Sequence, residues 1–146
     1  MSTTTTAQTT QVYRVFILAT PQQVWDAITK PEFTQQYFYG ARIEVRDGRR
    51  FSAIGENEWD EAVLEEDPPR RLVHGWISAY DEEMGAEEPS RVTWEIEPQD
   101  GGVTKLTVVH DRLEGAPKTA ESVAGGWMYV LSGLKTLLET GRPLAA

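Results

Sequence analysis

The feature that most constrains this chain is its last long apolar-periodic stretch, residues 119–140. At about 100° of turn per residue, with Gly126 set at zero, the large apolar side chains gather on one side. Leu137, Val130, Val123, Leu134, Trp127, Leu138 and Leu131 fall between about 20° and about 140° on that wheel, and Lys135, Glu139, Ser132 and Glu121 fall opposite. At about 1.5 Å per residue such a helix exceeds roughly 30 Å, enough to cross a whole small domain. Gly141 followed by Pro143 stops it. Gly126 and Gly133 stand at the edge of the stripe, where each costs about 1 kcal/mol of helix propensity relative to Ala. Two readings are open: backbone packed closely on backbone, or a helix that bends or shifts to admit a ligand. Either way the stripe needs an apolar surface to lie on.

The rest of the chain supplies one. Residues 12–19 are rich in Val, Ile, Phe and Tyr and read as a strand. Thr20-Pro21-Gln22-Gln23 then starts a helix: Thr20 caps, Pro21 fits the first turn and Gln23 completes a capping box. Val24, Trp25 and Ile28 form its buried face, Pro31 ends it at Lys30, and a second short helix follows over 31–37. From there to about residue 110 the period is two. Segments 41–46 and 49–54 flank Asp47-Gly48, a strong hairpin signal. Segment 58–66 runs to Asp67-Pro68-Pro69, and 70–79 follows it. Residues 81–89 form an acidic, mobile loop with Gly85. Segment 91–97 alternates Val92, Trp94 and Ile96 with Thr93, Glu95 and Glu97, and Asp100-Gly101-Gly102 turns the chain into 103–110. The expected architecture is α+β: a curved antiparallel sheet of about six to seven strands wrapped around the long C-terminal helix, with two short helices after the first strand. The space between sheet and helix is the natural cavity.

With 146 residues, 40% of them hydrophobic and five of them Trp, one core suffices. It spans 12–141, between a Thr-rich disordered tail over 1–11 and a short tail over 142–146. The tail has no apolar centre, so it does not read as a signal peptide. No apolar run approaches the roughly 18 residues of a membrane span, so membrane insertion is not expected and the location is taken as cytoplasmic. The absence of Cys rules out disulfides and thiolate metal sites. A formal charge of −9 opposes nucleic acid as a partner. The acid concentrates in 56–67 and 81–88, which read as solvated strand edges and loop.

Strand parity puts Leu72, His74 and Trp76 on one face, and Leu106, Val108 and His110 on one face of another strand. If both faces point inward, the two histidines enter an apolar cavity with Trp94, Trp127 and Leu131, a set suited to a flat apolar ligand with one or two polar atoms. Parity alone does not say which face of 72–76 points inward. The competing reading is that the Trp rings fill core and the histidines make structural hydrogen bonds. Beside a ligand, protonation of His110 below about pH 6.5 would weaken apolar binding. Two distant histidines have no recognised metal-ligand spacing. There is no Gly-x-Ser-x-Gly and no Gly-rich phosphate loop. Asp60 and Glu61 are adjacent on a strand and point to opposite faces, which opposes a paired-carboxylate site. No catalytic residue, metal or cofactor is assigned.

Thr20-Pro21-Gln22-Gln23-Val24-Trp25-Asp26-Ala27-Ile28-Thr29-Lys30-Pro31 resembles the "AP-x-x-VW-x-A-L-T-x-P" opening of START-like (SRPBCC) proteins, in the branch named after the activator of heat-shock-protein ATPase. Asp67-Pro68-Pro69-Arg70-Arg71-Leu72-Val73 with Trp76 is similar to that branch's "DPPRRLV…W". Val92-Thr93-Trp94-Glu95 and Thr104-Lys105-Leu106-Thr107 match its "VT-x-E" and "T-x-L-T" strands, and Gly126-Trp127 with Leu131 and Leu134 its "GW-x-x-x-L-x-x-L" helix. The resemblance covers about residues 12–141 and implies the helix-grip fold. It also implies a small hydrophobic ligand of lipid, polyketide or flavonoid type as the partner. The alternatives are a chaperone partner whose ATPase is stimulated, and a cyclase or hydrolase using His74 or His110 as an acid–base group.

Overall fold

The structure, a computed structural model, describes residues 8–145. Strand β1 (Gln11–Ile17) turns Gln11, Tyr13, Val15 and Ile17 toward the interior. It starts one residue before the expected boundary, and residues 1–7 of the expected tail lie outside the described residues. Helix α1 (Pro21–Thr29) opens on the reciprocal cap foreseen for it: Gln23 N–H donates to Thr20 Oγ1 at 3.1 Å, and Thr20 N–H to Gln23 Oε1 at 2.8 Å. Helix α2 (Pro31–Thr34) ends at Thr34 rather than at residue 37. Thr34 is the reason. Its hydroxyl donates to Ala41 O (2.9 Å) and accepts from Ile43 N–H (2.8 Å), pulling the chain out of the helix and into the next strand.

Strands β2 (Arg42–Arg46) and β3 (Arg49–Ile54) join through Asp47 and Gly48, with φ of 52° and 72°, the left-handed pair that a two-residue hairpin demands. Then come β4 (Asn57–Asp67), β5 (Arg71–Trp76), the single-turn α3 (Glu82–Gly85), β6 (Ser90–Pro98), β7 (Thr104–Asp111) and α4 (Pro117–Thr140). The seven strands form one antiparallel sheet in the order β1-β7-β6-β5-β4-β3-β2, so α1 and α2 carry the chain from one edge to the other. A register shift between Val63 and Glu65 throws Leu64 out to solvent, a bulge of the kind that lets a strand bend. Pairing sets Trp94 between Leu72 and Val108, and Val92 between His74 and His110. Both parity sets named from the sequence therefore point inward.

Helix α4 lies across that inner face with Val123, Trp127, Val130, Leu131, Leu134 and Leu137 buried, the stripe drawn on the wheel. It begins at Pro117, two residues before the expected start. Ala116 offers no side-chain cap; Glu87 supplies one from outside. Its carboxylate accepts from Lys118 N–H (2.8 Å) and Thr119 N–H (2.9 Å), a negative charge on the positive end of the helix. The acidic segment expected to be mobile is thus a folded strap. Asp81 caps α3 through Met84 N–H, and Glu87 caps α4. The far end stops at Gly141, φ 77°, whose N–H reaches Leu137 O. No helix among the described residues is long and apolar enough to cross a membrane.

The two stripe-edge glycines answer to different needs. A Cβ on Gly133 would lie 3.1 Å from the Cβ of Tyr37, a buried residue whose hydroxyl donates to Ala27 O at 2.6 Å. That is backbone-close packing. A Cβ on Gly126 would meet nothing nearer than Tyr39 Oη at 3.8 Å, because Gly126 borders open space.

Candidate functional site

In the interior beneath α4, two strand histidines are each bonded to an indole. Trp94 Nε1–H donates to His74 Nε2 at 2.9 Å, and His74 Nδ1–H donates to Gly75 O at 2.7 Å. Trp127 Nε1–H donates to His110 Nδ1 at 3.0 Å, which leaves His110 Nε2–H for Ser90 Oγ at 2.8 Å. An indole nitrogen can only donate, so each pairing fixes a neutral imidazole and its tautomer. Both rings are fully buried. Burial pushes the His110 pKa down to about 4, with nearby Arg50 adding to it and Asp111 opposing. Burial also holds His74 well below the usual range, with Arg50 again adding. All four ring nitrogens are occupied. His110 therefore stays neutral at pH 6.5, and the fall in ligand affinity expected at that pH loses its cause.

Beside this packed region lies a cavity of about 530 Å³. Its walls come from the inner faces of β2 and β3 (Ile43, Ile54), from β5 and the segment after it (Trp76, Ile77, Tyr80), and from α4 (Val123, Gly126, Trp127, Val130). Phe38 and Tyr39, in the turn leaving α2, complete it. Tyr39 is at the rim, exposed, with φ of 53°, and its ring stacks on Tyr129 at 5.2 Å. Of the seven residues expected to line a ligand site, Trp76 and Trp127 do so, with ring centroids 5.6 Å apart. His74, Trp94, Val108, His110 and Leu131 are not among its lining residues; they are buried in the packed part of the interior. Trp94 and Trp127 meet in a T-shaped contact with ring centroids 5.3 Å apart, so Trp94 supports a wall of the cavity from behind.

The cavity also holds polar side chains that strand reading passed over. Arg50 on β3 and Glu61 on β4 are cross-strand partners, and Arg50 Nη1 donates to Glu61 Oε1 at 3.0 Å. Only 4% and 2% of these side chains are exposed. Glu61 Oε2 accepts from Ile77 N–H at 2.8 Å. Burial raises the Glu61 pKa, with Arg50 opposing that rise. The Arg50 guanidinium lies 5.3 Å from the Trp76 ring centre and 5.7 Å from that of Phe38, within cation–π range. The next inward pair, Ser52 and Trp59, also lines the cavity. Their Ser52 Oγ and Trp59 Nε1 atoms are buried and have no hydrogen-bond partner among the described residues. Asp60 and Glu61 do point to opposite faces, as strand alternation requires. Asp60 meets Arg49 outside, while Glu61 goes inside. The acid of 56–67 is therefore not all solvated edge, and the available signal was the matched alternation of Arg50 with Ser52 and Trp59 with Glu61.

The sequence profile of the family described as "Activator of Hsp90 ATPase homolog 1-like protein" matches residues 18–139. No curated protein matches the chain. Among solved structures, it is similar to EF2215, a conserved protein of unknown function from Enterococcus faecalis, with a TM-score of 0.72 and 19% identity over 94% of this chain and 74% of that one. DynU16, of the dynemicin biosynthetic locus, aligns with a TM-score of 0.74 and 23% identity over 93% of this chain, which spans 49% of that protein. CalU16 from Micromonospora echinospora aligns with a TM-score of 0.69 and 24% identity over 93% of this chain and 77% of that one. At these identities the likeness is one of fold.

Proposed function

The chain belongs to the family of Activator of Hsp90 ATPase homolog 1-like proteins, and from that premise we propose that it binds a small, flat, largely hydrophobic molecule between sheet and C-terminal helix. The observation that carries this reading is the 530 Å³ cavity walled by Phe38, Trp76 and Trp127, a size and lining typical of small-molecule sites. The place of DynU16 in a biosynthetic locus supports a small organic ligand. Binding works by burial: at about 25 cal/mol per Å², hiding roughly 300 Å² of ligand surface gains about 7 kcal/mol before the costs of association. With all four ring nitrogens of His74 and His110 engaged, the acid–base reading of these histidines finds no support.

The test is a panel of flat aromatic compounds, read by quenching of Trp emission and by the melting temperature. Ligands should quench Trp76 and Trp127 and raise the melting temperature with concentration, as mass action requires. No quenching and no shift across the panel would remove the small-molecule reading. The co-chaperone alternative, which rests on the family description, predicts faster ATP turnover by a heat-shock ATPase and no ligand-dependent shift.

A further inference from the structure

The inner faces of β3 and β4 bring two adjacent cross-strand pairs, Arg50–Glu61 and Ser52–Trp59, to one side of the cavity. The first pair is balanced in charge. Both Glu61 oxygens are engaged, one by Arg50 Nη1 and one by Ile77 N–H. Among the described residues Arg50 hydrogen-bonds only through Nη1, so its other N–H groups are uncommitted. Among the described residues the second pair has no hydrogen-bond partners: Ser52, 3% exposed, and Trp59 leave a hydroxyl and an indole N–H unmatched. A buried polar group left unpaired is destabilising until something pairs it. The uncommitted nitrogens are all donors, and the hydroxyl can be one. What answers them is an acceptor.

The charge of that acceptor follows from Glu61. It already neutralises Arg50, and burial works against its ionisation. An anionic ligand would set a second negative charge beside it in a low-dielectric site, where like charges repel strongly. An uncharged carbonyl oxygen, with two lone pairs, accepts two of these donors without that repulsion. We propose that the cavity selects flat aromatic ketones, the rings against Trp76 and Trp127 and the carbonyl oxygen received by the Ser52 hydroxyl and the Trp59 indole N–H, beside Arg50. This rests on the small-molecule reading above and adds to it a ligand class and the residues that select it.

Three matched two-ring probes test the proposal by calorimetric titration at pH 7: 2-acetonaphthone, 2-ethylnaphthalene and 2-naphthoate. The ketone should bind at least about tenfold tighter than the ethyl compound, the equivalent of one good hydrogen bond, and tighter than the carboxylate. Ser52→Ala and Trp59→Phe should each shrink the ketone-to-ethyl ratio toward one, whatever they do to the affinity of the ethyl compound. Equal affinity of ketone and ethyl compound in the wild-type protein overturns carbonyl recognition and leaves the pocket standing. Tighter binding of the carboxylate overturns the choice of an uncharged acceptor. Binding of none of the three overturns the pocket reading and this inference with it. The wild-type comparison needs no variant, so the outcome does not hang on how a substituted protein folds.

Discussion

Arg50 and Glu61 form a buried ion pair, and such a pair is more informative about specificity than about stability. Its two members are not equivalent. A carboxylate left alone can shed its charge by taking a proton, but a guanidinium cannot. Glu61→Gln should therefore cost about 3–5 kcal/mol, the price of a stranded buried cation, at pH 5.5 and at pH 8 alike. Arg50→Met should cost clearly less at pH 5.5 than at pH 8. The sign follows from linkage: burial raises the folded pKa of Glu61, and loss of Arg50 raises it further. A raised folded pKa gives stability that is present at low pH and lost as pH rises through it. Urea midpoints of both variants at the two pH values, each relative to wild type, decide it; an equal loss for Arg50→Met at both would show that Glu61 keeps its charge unaided. At this scale the sequence was only partly legible. Trp76 and Trp127 could be aimed at the cavity by parity and by the helical wheel. Arg50 and Glu61 were harder to place, because a lone charged residue on a strand reads as solvated, and their alternation with Ser52 and Trp59 gains meaning only once the two strands are paired.

At the scale of elements, legibility followed the strength of the local signal. The box of Thr20 and Gln23, the Asp47-Gly48 turn, the stripe of α4 and its stop at Gly141 are set by neighbouring residues, and each formed as expected. The start of α4 and the order of residues 81–89 depend on a contact between segments some thirty residues apart, which no window of sequence contains. Removing that contact tests it. Glu87→Ala should cost about 1 kcal/mol, as loss of a helix cap does, and should speed amide exchange at Lys118 and Thr119. Unchanged exchange there would return the segment to the mobile class. The glycines of α4 give a second test of element packing. Gly125 faces open space, so Gly125→Ala should gain up to about 1 kcal/mol of helix propensity. Gly133→Ala drives a methyl against Tyr37 and should melt well below Gly125→Ala. Gly126→Ala should resemble Gly125→Ala in stability yet weaken ligand binding, since its methyl enters the cavity wall. The same ranking of melting temperatures for Gly133→Ala and Gly125→Ala would mean that α4 and Tyr37 are not closely packed.

Taken whole, the molecule divides its interior. Toward β6, β7 and β1 the space under α4 is filled by His74, Trp94, His110, Leu106, Val108 and Leu134, all essentially buried; toward β2, β3 and β4 it is left as the cavity. The filled half contains two imidazoles that must stay neutral to accept from Trp94 and Trp127, and this ties global stability to pH. The folded pKa of His110 is about 4 against an ordinary value of about 6.5. Between those values the unfolded chain binds a proton that the folded one refuses, so stability is full above pH 6.5 and falls as pH drops toward 4. At about 1.4 kcal/mol per unit, His110 alone accounts for a loss on the order of 3 kcal/mol. His74, shifted the same way, adds to it. Glu61 acts oppositely, since burial raises its pKa and makes the folded state the better proton binder. Glu87, Asp111 and Glu139, whose pKa values are lowered, add to the loss only at the acid end of the range, where their unfolded forms begin to take protons. Urea unfolding at pH 7, 6, 5 and 4.5 should therefore show stability declining steadily across that range. A flat profile across pH 6.5–4.5 would mean that the two histidines accept protons in the folded state, and that the Trp–His bonds at the centre of the molecule do not hold them neutral.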